Sequence, residues 1–163
     1  MSEAIPTIDP ALFRQVLGCY PTGVTIVTAS SGGEPAAMVI GSFGSVSLDP
    51  PLVMFLPAKT SSTWPDIEAA GAFCVNVLGD DHTELAHQFF KKDVDPWDGL
   101  EWTTGASGSP VLTDALAWID CEIERVIEAG DHWIVLGRVL DLRGSDAGGP
   151  LVFFRGGYGR FEG

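Results

Sequence analysis

Positive charge is scarce in this chain. Of 163 residues, nine are Lys or Arg against 22 Asp or Glu, a formal net charge of −13. Nucleic-acid binding works by neutralising phosphates with many cations. The one adjacent pair, Lys91-Lys92, makes no such patch, so no nucleic-acid partner is expected. Long apolar runs are missing too: none reaches the roughly 18 residues of a membrane span, and no membrane role is expected. The segment Met1 to Pro10 carries Glu3 and Asp9 and no basic start, which does not read as a secretory signal; a cytoplasmic location is the expectation. Cys19, Cys74 and Cys121 are odd in number, far apart and without a CxxC. Each stands among apolar residues and reads as a core thiol. The familiar catalytic signatures are also lacking. There is no G-x-S-x-G, no H-E-x-x-H and no G-x-G-x-x-G after a strand. His82 and His87 lie five apart, off a common helical face, so no metal site is expected. A reaction here has to borrow its chemistry from a cofactor.

What the chain does have is 45% hydrophobic residues, enough for one core, and the whole of 1–163 reads as one domain. Asp9-Pro10 caps and opens a short helix with Leu12, Phe13, Val16 and Leu17 on one face and Gly18 at its end. The β-branched run Gly23 to Thr28 reads as a strand. Ser31-Gly32-Gly33 turns it into a hairpin partner near Ala36 to Ser42. An extended stretch through Phe43, Val46 and Leu48 is broken by Asp49-Pro50-Pro51. Leu52 to Leu56 and Phe73 to Leu78 read as buried strands. Between them, Thr63 suits an N-cap, with Asp66 in the first turn and the helix ending at Gly71. Asp81 and Glu84 resemble a capping box for a helix carrying Leu85, Ala86 and Phe89. Lys91 to Pro110 reads as irregular and long for a connection, hence a functional cover or an interface. Ile119 to Ile127 alternates, with Asp120, Glu122 and Glu124 on a wet face. A turn at Glu128 to Asp131 leads into His132 to Leu142, and Leu151 to Phe154 is the last strand. Six or seven closely spaced strands with two or three short helices predict a mainly β protein, an antiparallel barrel with short capping helices.

Three segments are candidates for holding a cofactor. In Val39, Ile40, Gly41, Ser42, Phe43, Gly44, Ser45, Val46 and Ser47, small residues let a flat ligand lie against backbone N–H groups; a strand bent by a bulge has the same composition. In Ala58, Lys59, Thr60, Ser61, Ser62 and Thr63, one cation and four hydroxyls precede a helix, a phosphate cradle or an ordinary capping loop. Lys59 is the only cation between Arg14 and Lys91, which fits either an anion site or a solvated lysine. Gly130-Asp131-His132 is a turn before a strand, and its histidine is either functional or simply solvated.

Taken together, these segments resemble the short-chain flavin reductases, the reductase partners of two-component flavin monooxygenases. The resemblance rests on Pro21 to Thr28, on Ser42-Phe43 with Ser45 to Val53 (SVSLDPPLV), and on Lys59 with Ser61-Ser62. It continues through Gly71 to Leu78, Leu85-Ala86 with Phe89, Gly130-Asp131-His132, Pro150-Leu151 and Gly157-Tyr158. It implies an FMN-binding split barrel of Greek-key type that forms a homodimer, with FMN or FAD in a groove at the subunit interface. It implies NADH or NADPH as hydride donor, and reduced flavin supplied to a partner monooxygenase. By the same resemblance Ser42, Phe43 and Ser45 to Ser47 line the isoalloxazine, Lys59 to Ser62 take the flavin phosphate, and His132 and Tyr158 lie on the nicotinamide side. One departure stands out. Where the family reads G-x-T-x-N-S-F, this chain has Val39 and Gly41 in place of the threonine and asparagine. That removes two side-chain hydrogen bonds, each about 0.5–1.5 kcal/mol. A second class is a non-catalytic binder of flavin or haem, with His82, His87 or His132 as axial ligand.

Overall fold

The structure, a computed structural model, describes residues 4–163. Among these residues three helices, α1 (Pro10–Leu17), α2 (Trp64–Ala70) and α3 (Thr83–Gln88), accompany twelve strands. The strands are β1 (Thr22–Gly23), β2 (Thr25–Ser31), β3 (Glu34–Ile40), β4 (Gly44–Ser47), β5 (Leu52–Phe55) and β6 (Ala72–Val77). They continue as β7 (Trp102–Thr104), β8 (Pro110–Leu112), β9 (Ala117–Ala129), β10 (His132–Gly144), β11 (Leu151–Phe154) and β12 (Gly157–Arg160).

Seven strands form one antiparallel sheet in the order β3-β2-β6-β9-β10-β5-β4. Laid flat, its outer strands would stand about 29 Å apart at the usual strand spacing. Yet β3 and β4 are consecutive in sequence and joined only through Gly41–Phe43. Such a link spans about 14 Å at most, so the sheet has to curl. This is the physical origin of the split barrel. The order β1-β11-β12 makes a second small sheet, and β7-β8 a third.

The curled sheet encloses a core of Val27, Val53, Phe55, Phe73, Val75, Cys121 and Val135, capped by Trp64 and Ile67 of α2. A second core, with Val24, Ile26, Leu78, Leu112 and Leu151, sits under α3. Buried polar groups stitch the layers. Asn76 Nδ2 donates to Ile26 O (3.0 Å) and Thr28 Oγ1 (3.1 Å), and Asn76 Oδ1 accepts from Leu112 N (2.8 Å). Gly137 is required by close approach: a Cβ there would stand 2.4 Å from Phe73 Cζ, and Phe73 is fully buried.

Several sequence expectations need correction. Thr63 is the N-cap of α2 but makes no side-chain cap bond; Ser61 Oγ instead accepts from Thr63 N and Trp64 N, both at 3.2 Å. The N-cap of α3 is His82, so the Asp81–Glu84 capping box is not formed. Asp120 is buried rather than wet, because it accepts from Ser107 N (2.7 Å) and Ser107 Oγ (2.5 Å) and anchors the β7–β8 loop. The stretch from Lys91 to Pro110 is not structureless: it contains β7 and leads into β8, and Trp97 packs on Phe89 and Trp102. Cys19 is exposed, whereas Cys74 and Cys121 are core thiols. Burial pushes the Cys121 thiol up to about 12 and Cys74 higher still, with the Asp120 charge adding to both. Both therefore stay protonated and inert.

Candidate functional site

Two of the three candidate segments meet in space. The Lys59 loop lies along the start of β10, where Ala58 and His132 form an isolated antiparallel bridge. Lys59 N donates to Asp131 O and Trp133 N donates to Pro57 O, each at 2.9 Å. The third segment is tied to the same place. Ser42 Oγ accepts from Leu56 N at 3.0 Å and donates to Leu56 O at 3.4 Å. The β3–β4 link, the β5–α2 loop and the Gly130-Asp131-His132 turn thus form one continuous strip.

At one end of the strip, Lys59 Nζ forms an ion pair with Glu128 and lies 4.9 Å over the Trp133 ring. The ammonium holds the Glu128 carboxyl below its usual range. Ser61 is half-buried and engaged in capping α2, while Thr60 and Ser62 are exposed. His132 is half-exposed, with Nδ1 2.7 Å from Asp131 Oδ1. Hydrogen bonding from His132 keeps the Asp131 carboxyl below its usual range. An ionised carboxylate only accepts, so Nδ1 carries the proton; when the ring carries that one proton, Nε2 is left as an acceptor.

At the other end, Gly23, Val24, Val39, Gly41, Phe90, Phe153 and Tyr158 line a shallow cleft of about 180 Å³. Tyr158 packs on Phe153 (5.5 Å) and on His87 (5.3 Å), and partial burial raises its phenol above the usual value, so it stays neutral. Gly23 and Gly41 bring no side chain to the lining, and a Cβ at residue 41 would stand 3.1 Å from Thr22 Oγ1. That hydroxyl is buried without a hydrogen-bond partner. Aromatic side chains and two glycines in one lining fit a flat aromatic ring.

Not every residue expected at the site presents its side chain there. Ile40 is buried in the main core and its carbonyl accepts from Thr25 Oγ1 at 2.8 Å. Phe43 packs against the same core. Phe89 lies in the second core, and its neighbour Phe90 reaches the cleft instead. Ser45 and Val46 are exposed on β4, the free edge of the large sheet, with a bulge between Ser45 and Ser47. There they offer edge backbone N–H groups. Thr22, Gly23, Phe90 and Phe153 were not singled out by sequence. The Pro21-Thr22-Gly23 run adjoining a strand was the available signal, but the pairing of Thr22 with Phe153 is long-range. The three histidines occupy separate places: His82 Nδ1 accepts from Gly79 N at 3.0 Å, His87 lies on Tyr158, and His132 sits on Asp131.

The chain is similar to known proteins over nearly its whole length. Residues 17–162 match the model of the flavin reductase like domain. A flavin reductase of Pseudomonas putida is 51% identical over 155 residues, covering 94% of this chain and 91% of that one. The reductase subunit of a flavin-dependent monooxygenase from Rhodococcus jostii is 46% identical over 159 residues, covering 98% and 82%. An NADH:FAD oxidoreductase of Streptomyces globisporus, solved in complex with NAD and FAD fragments, superposes with a TM-score of 0.89 at 37% identity, covering 99% and 98%. The matches in sequence and in fold show that the chain belongs to the flavin reductase like domain family.

Proposed function

We propose that this NAD(P)H-dependent flavin reductase binds flavin along the strip from the Gly41–Tyr158 cleft to the Lys59 loop. The observation that carries this reading is the junction of three distant segments by the Ser42–Leu56 hydrogen bonds and the Ala58–His132 bridge. When bound, the flavin supplies the redox chemistry, accepting a hydride from the reduced nicotinamide. The protein's part is orientation. Gly41 and the β4 edge offer backbone to the isoalloxazine, and Tyr158 closes the cleft on the nicotinamide side. Lys59, with the hydroxyls of Thr60, Ser61 and Ser62, takes the phosphate. His132 accepts a hydrogen bond on the nicotinamide side.

The working unit in this reading is a single domain over 1–163 that pairs as a homodimer in the cytoplasm and passes reduced flavin to a monooxygenase. The support for pairing is apolar exposure. Leu12, Phe13, Val16 and Leu17 of α1 are each more than half exposed, and Phe153 and Phe154 are also open. Arg155 N donates to Gly18 O at 3.2 Å and holds the end of α1 beside the β11–β12 turn. Patches of this kind mark association surfaces. Trp102 of the 91–110 stretch, packed on Trp97, is also 41% exposed. Sedimentation is expected to give a dimer; a fully active monomer at micromolar concentration rejects the pairing. The activity is tested by oxidation of NADH and NADPH with FMN, FAD and riboflavin in turn. Turnover with flavin from a nearly colourless preparation is expected. A Soret band, or tightly bound flavin without turnover, overturns the reading.

A further inference from the structure

The role inferred for Glu128 rests on Lys59 being the phosphate-binding cation of the proposed site. Glu128 stands near the end of β9, with its side chain 71% exposed, yet its carboxylate is paired with Lys59 Nζ. The same ammonium lies over the electron-rich face of Trp133, 4.9 Å from its centroid. Asp131, three residues on, carries a second carboxylate that is engaged with His132. No other cation lies between Arg14 and Lys91 in the sequence. A phosphate reaching this loop therefore meets an ammonium whose charge is already balanced, with a carboxylate in the place a phosphate oxygen would take. Either the carboxylate leaves Lys59 for water, or two anions crowd one cation; both weaken phosphate binding.

The geometry points to Glu128 as a competing counter-ion that lowers the affinity of Lys59 for the flavin phosphate, so that flavin enters and leaves as a diffusible substrate. In the free protein the same contact keeps Lys59 ordered over Trp133. The pair is exposed, and competition from such a pair is worth about two- to fivefold in a dissociation constant. It acts only on ligands that carry a phosphate.

The test measures dissociation constants for FMN and for riboflavin, by flavin fluorescence quenching, in the full chain. The variants are Glu128→Gln, Glu128→Ala, Lys59→Ala and Lys59→Ala with Glu128→Gln. Both Glu128 variants are expected to tighten FMN about two- to fivefold, leave riboflavin unchanged and slow FMN release in stopped flow. The gain should vanish when Lys59 is absent. If Lys59→Ala weakens FMN selectively but the Glu128 variants leave FMN unchanged or weaker, the competition is refuted and the phosphate site stands. If Lys59→Ala weakens FMN and riboflavin equally, the phosphate site fails and the competition with it. If the Glu128 variants tighten both ligands alike, the effect is not competition for phosphate and the proposal is overturned.

Discussion

Replacing His132 by Ala tests the proposed nicotinamide side of the site most directly. His132 Nδ1 lies 2.7 Å from the Asp131 carboxylate, and that carboxyl is held below its usual range. A proton therefore sits on Nδ1, and with one proton on the ring Nε2 is the free acceptor. A carboxamide N–H donating to Nε2 makes a neutral hydrogen bond with a net worth of about 0.5–1.5 kcal/mol. Losing it corresponds to roughly two- to twelvefold. Stopped-flow reduction of bound flavin against NADH concentration is the assay. His132→Ala should raise the NADH concentration for half-maximal rate, or lower the limiting rate, by about that factor. The flavin dissociation constant should stay within a few-fold, because Ala58 meets residue 132 through backbone. Asp131→Asn should give a smaller effect of the same kind, since it frees the tautomer without removing the ring. An unchanged rate and unchanged NADH dependence in folded His132→Ala protein would refute the reasoning.

The remaining expectations concern the scaffold. Gly137→Ala puts a Cβ 2.4 Å from Phe73 Cζ in a filled core, and overpacking of this sort costs about 1–3 kcal/mol; an unchanged urea midpoint contradicts the packing described. Asn76→Leu leaves Leu112 N without its buried acceptor and removes the bonds to β2. A loss of about 2–4 kcal/mol is expected from chemical denaturation, larger than for an exposed β4 residue such as Val46→Ala. Glu124 pairs with Arg138 at 2.8 Å, and that contact lowers its carboxyl below the ordinary 4.5. A depressed folded-state pKa gives stability that is complete above the unfolded value and is lost as pH falls through the folded one. The melting-temperature difference between wild type and Glu124→Gln should therefore stay flat above about pH 5 and shrink in acid; a difference that grows toward low pH contradicts the sign.

Local chemistry determined much of this protein. The β-branched and alternating runs placed β2, β5, β6, β9 and β10, because residues that suit a half-buried pleated surface announce themselves one strand at a time. Asp9 caps α1 as its position before Pro10 implied. The family resemblance, spread over segments in order, carried the fold and the reaction. What sequence could not decide were relations between distant residues. The burial of Asp120 depends on Ser107 arriving from another loop, so a strictly alternating strand misread its face. The short strands β1, β7, β8 and β12 carry too few residues for a period to show, and exist because partners stand opposite them. Lys59 and His132 could each be named from sequence. Only the curled sheet, with its edges held close by three residues, brings Ala58 against His132 and Gly41 over Thr22. The partner of Lys59 is Glu128, 69 residues away, because folding, not sequence spacing, sets which charges meet.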